Sequence, residues 1–412
     1  MFRKMSQTER ASAIVFLALW VSYTLIRMGK NAYSAAMAAM LQEGLLTKAN
    51  SGLVNAGFYL LYGVAQIAGI KLIEKVSPFR LITLTLIANA GFSAAMGFAQ
   101  GFVPLLILWS LNGLAQFAMW PALLRVTTEY LHPEHQKRAM TAIAFCYCGG
   151  MVANYLLAAV VLKFARWPVL FFVNGIIGVV VLVFWLAAAK LKPVLETIPR
   201  AELQTENSPQ EKHRLMPLLV TSGALLIFLP GLLRSALDLG IKTWMPTMLI
   251  EIYGVSLSTS NLLATLLVFI NLAGVPLIAW LYPKRVGNTI LLLTFSFVIG
   301  IPATALMLLN QSISVGVMIA LLIIVTTMTY AGNQLIQIYV PPEFSKFHRT
   351  GSVASILNAG ASFGVLAGNY IFGLFAEHLG WNGTIFSWVV MFAVSALLCA
   401  IATPIWKKFI AR

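Results

Sequence analysis

Twelve apolar runs, each about 20 residues or longer and separated by short polar stretches, leave this chain little choice of fold. They lie at 12–41, 50–72, 80–99, 103–127, 138–163, 167–189, 216–249, 258–282, 288–309, 313–339, 350–375 and 380–406. A run of that length crosses the roughly 30 Å hydrocarbon core of a bilayer as a helix, with every backbone polar group satisfied inside the segment. The chain is 59% hydrophobic and only 10% charged, against about 25% charged in soluble domains. It has too little polar surface to cover itself in water. Short segments of alternating polarity are absent, which argues against a transmembrane barrel. The expected fold is therefore an all-α membrane protein with twelve transmembrane helices.

A formal net charge of +15 invites a nucleic-acid reading, but the placement of the charge removes it. The N-terminus, alternate loops, the segment 190–215 and the C-terminus carry 21 of the 28 Lys and Arg residues. The opposite side carries Lys48, Lys163 and Arg166, and four more lie within spans. Basic loops stay in the cytoplasm, so both termini are expected there. The start, MFRKMSQTER, is a polar lead rather than a signal peptide, and a multi-pass protein of a bacterial cytoplasmic membrane is expected. Cys146, Cys148 and Cys399 sit in apolar helices at no metal spacing, so buried inert thiols are expected. No metal cluster, nucleophile constellation or phosphate-cradling glycine loop appears, so no enzyme, metal or cofactor is expected.

The stretch KLKPVLETIPRAELQTENSPQEKHRL, 190–215, is charged, polar and bears prolines, as a cytoplasmic linker should. It divides the chain into a six-helix bundle at 1–189 and a second at 216–412. Two parallel repeats about an axis along the membrane normal would produce this pattern. The end of span 1, AAMAAML (35–41), matches the end of span 7, TWMPTML (243–249), in its Met and Met-Leu offsets. Extending that match backwards sets Lys30 opposite Asp238.

Span 7 contains LLRSALDLGIKTWMP, residues 232–246, and Asp238 within it is the only aspartate in 412 residues. Arg234, Asp238 and Lys242 are four apart, so one helical face presents plus, minus, plus. Arg27 and Lys30 likewise share a face of span 1. A charge at mid-bilayer costs about 2.5–3.5 kcal/mol on insertion scales, so these five should face the bundle interior or a water-filled cavity. Snorkelling is the rival reading for Lys242, near the outer end. An ion pair that merely holds helix 7 is the rival for Asp238. Gln66, Gln116, Asn154, Asn271, Asn333, Gln334, Gln337, Asn358 and Asn369 are the other polar candidates, each readable as interhelical glue. Tyr23, Tyr33 and Trp244 are candidates to stack on a solute or close a gate, or plain packing residues. The small-residue run GASFGVLAG (360–368) suits close, sliding helix contact.

These features resemble the major facilitator superfamily, and within it the organophosphate:phosphate antiporters of glycerol phosphate and hexose phosphate. Span 4, LNGLAQFAMWPALLR, carries Gly113, Gln116, Trp120, Pro121 and Arg125 in that family's pattern. GIKLIEKVSPFR resembles the family's loop between helices 2 and 3, with Glu74 and Lys75 as its acid–base pair. LGIKTWMPTML and EHLGWNGTIF resemble its helix 7 and helix 11 elements. The resemblance implies two pseudo-symmetric six-helix bundles and a phosphate clamp. It also implies conformational gating by Glu74, Lys75, Arg80 and Arg125. Yet the clamp positions hold Lys30, Asp238, Gln66 and Tyr147, so the phosphate clamp itself does not carry over.

The expected function is secondary active transport by rocker-switch alternating access. The solute is a small polar, anionic organic molecule: an organic acid, a sugar acid or a sugar-phosphate-like compound. Substrate contact is expected from Lys30, Arg27, Asp238, Arg234, Tyr33, Gln66, Gln116, Tyr147, Lys242 and Asn271, with Asp238 as the proton-coupling candidate. The expected partners are the solute and the lipid bilayer, and a monomer is expected. The alternatives are a solute-sensing receptor of the same fold and a proton-coupled exporter of drugs or neutral sugars.

Overall fold

The computed structural model describes residues 6–197, 215–271, 288–347 and 350–411, and among them every regular element is helical. In chain order these are α1 (Gln7–Gln42), α2 (Lys48–Ala68), α3 (Ile70–Lys75), α4 (Pro78–Met96), α5 (Phe102–Gln116), α6 (Met119–Glu129), α7 (Pro133–Phe164) and α8 (Trp167–Ala189). They continue with α9 (Lys192–Leu195), α10 (Leu215–Thr221), α11 (Ala224–Tyr253) and α12 (Leu257–Asn271). The last four are α13 (Thr289–Met307), α14 (Val315–Gln334), α15 (Thr350–His378) and α16 (Gly380–Ile410). As far as they are described, the expected spans coincide with one or two of these helices; the tenth ends in a π-helical turn, Leu335–Tyr339, and the second part of the eighth, 272–282, lies outside the described residues. Nine stretches among the described residues are long and apolar enough to cross a membrane.

Three spans expected as single helices are broken. The second breaks at Gly69, where a Cβ would collide with the Phe117 ring. The fourth breaks after Gln116, and the seventh at Gly223, whose φ of 77° is left-handed. Glycine reaches that region at little cost. None of these breaks disturbs the apolar pattern, so hydropathy does not mark them.

The chain divides into two compact units, Met1–Met40 with Leu60–Ser208, and Leu41–Tyr59 with Pro209–Arg412. In the first, a core forms where Val15, Leu19 and Ile26 of α1 meet Phe79 and Leu86 of α4, Leu123 of α6 and Trp185 of α8. Val179, Val180 and Val183 of α8 stay exposed. A helix apolar all round is stable when protein covers one face and lipid the other.

The second unit takes in the first half of α2. Asn55 Nδ2 donates to Asn369 Oδ1 at 2.8 Å, the Ala49 N–H donates to Glu377 Oε2 at 2.6 Å, and Lys48 Nζ lies 2.7 Å from Glu251 Oε2. The small-residue run on α15 supplies the tightest seam here. Gly360 faces the Phe228 ring, Gly364 the Leu232 carbonyl and Gly368 the Ala236 carbonyl of α11. Their four-residue spacing puts them on one stripe, which lets the two backbones approach and sets the face of α11 that bears Asp238.

A side chain on that stripe must separate the helices. Gly364→Val is expected to destabilise the protein by about 1–3 kcal/mol, the usual cost of overpacking. Gly63→Ala, where an added Cβ meets nothing within 4 Å, should leave stability unchanged or slightly raised. Thermal unfolding of the purified variants in detergent makes the comparison.

Candidate functional site

In the first unit α1 is held against α7 by a close approach. A Cβ at Gly150 would meet the Thr24 carbonyl and the Arg27 side chain. Asn31 Nδ2 returns a bond to the Arg27 carbonyl at 2.7 Å, and Asn154 Nδ2 donates to the Asn31 carbonyl at 3.0 Å. This fixes the turn of α1 that carries Arg27 and Lys30. Both line a small cavity with Tyr62, Gln116, Tyr23 and Trp120. The cavity holds about 10 Å³, room for one water. Lys30 Nζ sits over the Tyr62 ring, 4.0 Å from its centroid, where the ring quadrupole offsets part of its lost hydration. Tyr23 and Trp120 pack on each other with ring centroids 5.6 Å apart.

The second cluster lies on α11 of the other unit. Lys242 Nζ donates to Asp238 Oδ1 at 2.6 Å, and Arg234 Nη1 lies 4.0 Å from Asp238 Oδ2. The side chains of Lys242 and Asp238 are only 4% and 7% exposed. Lys242 therefore does not snorkel: it is buried against Asp238, with the Tyr330 ring centroid 5.3 Å from its Nζ. Arg234 is held separately, donating to the Thr329 carbonyl at 3.3 Å and to the Ser235 hydroxyl. Thr329 Oγ1 donates to Asp238 Oδ1 at 3.2 Å.

Two prolines bracket the triad, Pro230 and Pro246, each eight residues from Asp238. Pro246 has no N–H to give the Lys242 carbonyl, so that carbonyl lacks its usual intrahelical donor. One helical turn along α14, Thr326 Oγ1 donates to Asn271 Oδ1 at 3.1 Å and Thr327 Oγ1 does so at 2.9 Å. Asn271 is 2% exposed, yet among the described residues its Nδ2 has no acceptor.

Several expected residues lie elsewhere. Tyr33 is fully buried against Trp109, centroids 5.5 Å apart, and packs the core rather than the cavity. Gln66 is half-buried on α2 and is absent from the cavity lining, where α2 is represented by Tyr62. Trp244 Nε1 donates to the Asn369 carbonyl at 3.0 Å, a packing and anchoring role. The side chains of Tyr147 and Glu74 lie outside the described residues. Lys75 and Arg80 are exposed.

Arg125 has a defined task. Its Nη1 donates to the Ile73 and Val76 carbonyls at 2.6 and 2.9 Å, and its Nε to Glu129 Oε1 at 2.9 Å. It thereby ties α6 to the end of α3. Tyr62 and Thr329 escaped sequence reasoning, since an aromatic and a threonine in apolar helices look like packing residues. Cys146 and Cys399 are buried free thiols, as their settings suggest.

The family model described as Major Facilitator Superfamily matches residues 19–368. The membrane sensor protein UhpC of Salmonella typhimurium is 25% identical over 175 residues, 42% of this chain and 39% of that protein. The hexuronate transporter of Bacillus subtilis is 24% identical over 264 residues, 63% of this chain and 62% of that protein. The chain thus spans less than two thirds of the length of either relative. A bacterial homologue of the human lysosomal transporter Spinster, solved in an inward-facing and unoccupied conformation, superposes with a TM-score of 0.83. It covers 98% of this chain and 99% of that one at 16% identity, so what is shared is the fold.

The buried triad makes a test of its own. Asp238→Asn leaves Lys242 and Arg234 facing a neutral amide, and should cost about 3–5 kcal/mol of stability, as loss of one partner of a buried pair does. Asp238→Asn combined with Lys242→Met should recover most of that loss. A double-mutant cycle by thermal unfolding checks it.

Proposed function

Because this chain belongs to the Major Facilitator Superfamily, we propose that it is a secondary transporter of a small organic anion, working by rocker-switch alternating access. The observation that carries the reading is the pair of buried charged clusters, one in each unit. Arg27 and Lys30 line one cavity, and Arg234 and Lys242 flank the Asp238 carboxylate. Cations kept at such cost inside an apolar bundle mark a solute or ion path, and their excess over acids favours an anion. The lack of an arginine at Lys30 and Asp238 favours a sugar acid over a phosphate ester, since bidentate arginines hold phosphate best, and a hexuronate transporter is among the relatives.

Arg27 and Lys30 draw in the carboxylate of the solute. Asp238 carries the coupling proton: protonation weakens its hold on Lys242 and frees that cation, and deprotonation restores the pair. The protein lies in a bacterial cytoplasmic membrane, and the excess of Lys and Arg in alternate loops favours both termini inside. Residues 1–189 and 216–412 are the two repeats, joined by 190–215, and the functional unit is a monomer.

A second reading has its own support, since one relative is a membrane sensor. Uptake into proteoliposomes separates the two. With a radiolabelled hexuronate the account expects concentrative uptake under an inward proton gradient. Arg27→Gln or Lys30→Gln should lower it at least tenfold. Asp238→Asn should abolish proton-driven accumulation while leaving downhill exchange. Binding without uptake would favour the sensor, and unchanged proton flux in Asp238→Asn would remove that residue from coupling.

A further inference from the structure

The small cavity beside Arg27 and Lys30 holds one more group whose chemistry is unspent. Gln116 is 2% exposed and lines that cavity from the end of α5. Its amide nitrogen is fully committed: Nε2 donates to Asn89 Oδ1 at 2.9 Å and to Asn112 Oδ1 at 3.0 Å. Two acceptors on one NH₂ group set the orientation of the amide, because they use both of its protons. The atom Gln116 has left to offer is Oε1, and no group of the described protein donates to it.

A buried acceptor without a donor costs about 1–3 kcal/mol, and buried polar atoms are overwhelmingly paired. The cost is sensible where a ligand supplies the missing hydrogen. Arg27 and Lys30 constrain which ligand. An ammonium donor would be repelled by the two cations, so the donor is a neutral O–H. The molecule bearing it is an anion if the two cations are to be matched. The cavity holds about 10 Å³, the room of about one water, which a single hydroxyl group suits.

We infer that Gln116 determines specificity by accepting a hydrogen bond from a solute hydroxyl through Oε1, so that the transported molecule is a hydroxylated carboxylate rather than a bare one. This rests on the anion-transporter reading above and adds to it the requirement for an O–H donor close to the carboxylate. Asn89 and Asn112 are then positioning residues, which hold the amide with its oxygen outward. The close fit of Asn89 against Gly29, where a Cβ would lie 3.1 Å from Oδ1, fixes that asparagine against α1.

The test uses two six-carbon monocarboxylates, D-gluconate and hexanoate, titrated into the purified full-length protein by calorimetry, with hexanoate read by competition. Wild type should prefer gluconate by at least tenfold. In Gln116→Met the preference should shrink by about tenfold, the net worth of one neutral hydrogen bond, with hexanoate affinity unchanged within about twofold. Gln116→Glu keeps an acceptor oxygen, with Asn89 and Asn112 turning their amide nitrogens to donate to the carboxylate, but adds a negative charge to the cavity that Lys30 lines. It should weaken both ligands while keeping the preference, and it serves if the methionine variant does not fold. Undiminished preference in Gln116→Met, or preference lost in Gln116→Glu, overturns the inference and leaves the anion reading standing. Failure of wild type to bind either acid overturns the anion reading, and the inference with it.

Discussion

A carboxylate enclosed by apolar helices needs a cation within reach, and the Asp238–Lys242 contact at 2.6 Å is the interaction on which the rest of α11 depends. Two charges this deep lose most of their hydration, and their attraction offsets the loss only with good geometry and further hydrogen bonds. Both conditions are met locally: the four-residue spacing brings the groups together, and Thr329 adds a donor to the carboxylate. Arg234 is satisfied largely by other partners, a carbonyl and a hydroxyl. Opening the pair would therefore not strand the arginine.

Close helix packing makes the arrangement possible. Glycines on α15 bring its backbone onto α11, so the charged face of α11 turns toward α14, where Thr329 and Tyr330 wait. Gly332 does the same from the other side: a Cβ there would lie 3.2 Å from Arg234 Cδ. In the first unit Gly150 sets the turn of α1 that presents Arg27. Small residues in this protein thus place charges as much as they pack helices, and helix association in a bilayer relies on that kind of complementarity.

Much of this was legible in the letters. Spans announce themselves by length and hydropathy, because the bilayer imposes both. The spacing of Arg234, Asp238 and Lys242 already specified an ion pair along one face, and that of Arg27 and Lys30 a shared wall. What stayed hidden depends on contacts between helices. Tyr62 is one aromatic among many until Lys30 is seen above its ring. Tyr33, by contrast, looks like a site residue and proves to be core, since depth along a helix says nothing about which neighbour it meets. Gln116 was visible as a polar residue in a span. Which of its two amide atoms remains to be used emerged only from the positions of Asn89 and Asn112. Helix breaks at Gly69 and Gly223 were missed because glycine is frequent in membrane spans and rarely breaks them.

The single aspartate offers an unusually direct measurement. Selective ¹³C labelling of the aspartate carboxyl marks Asp238 alone, and infrared difference spectroscopy of the purified protein reads the hydrogen bonding of that group. The account predicts a carboxyl band that moves in Lys242→Met, which removes the partner at 2.6 Å, and moves less in Arg234→Gln, since that arginine is held mainly by a carbonyl and a hydroxyl. An unchanged band in Lys242→Met, or a larger shift in Arg234→Gln, would contradict it.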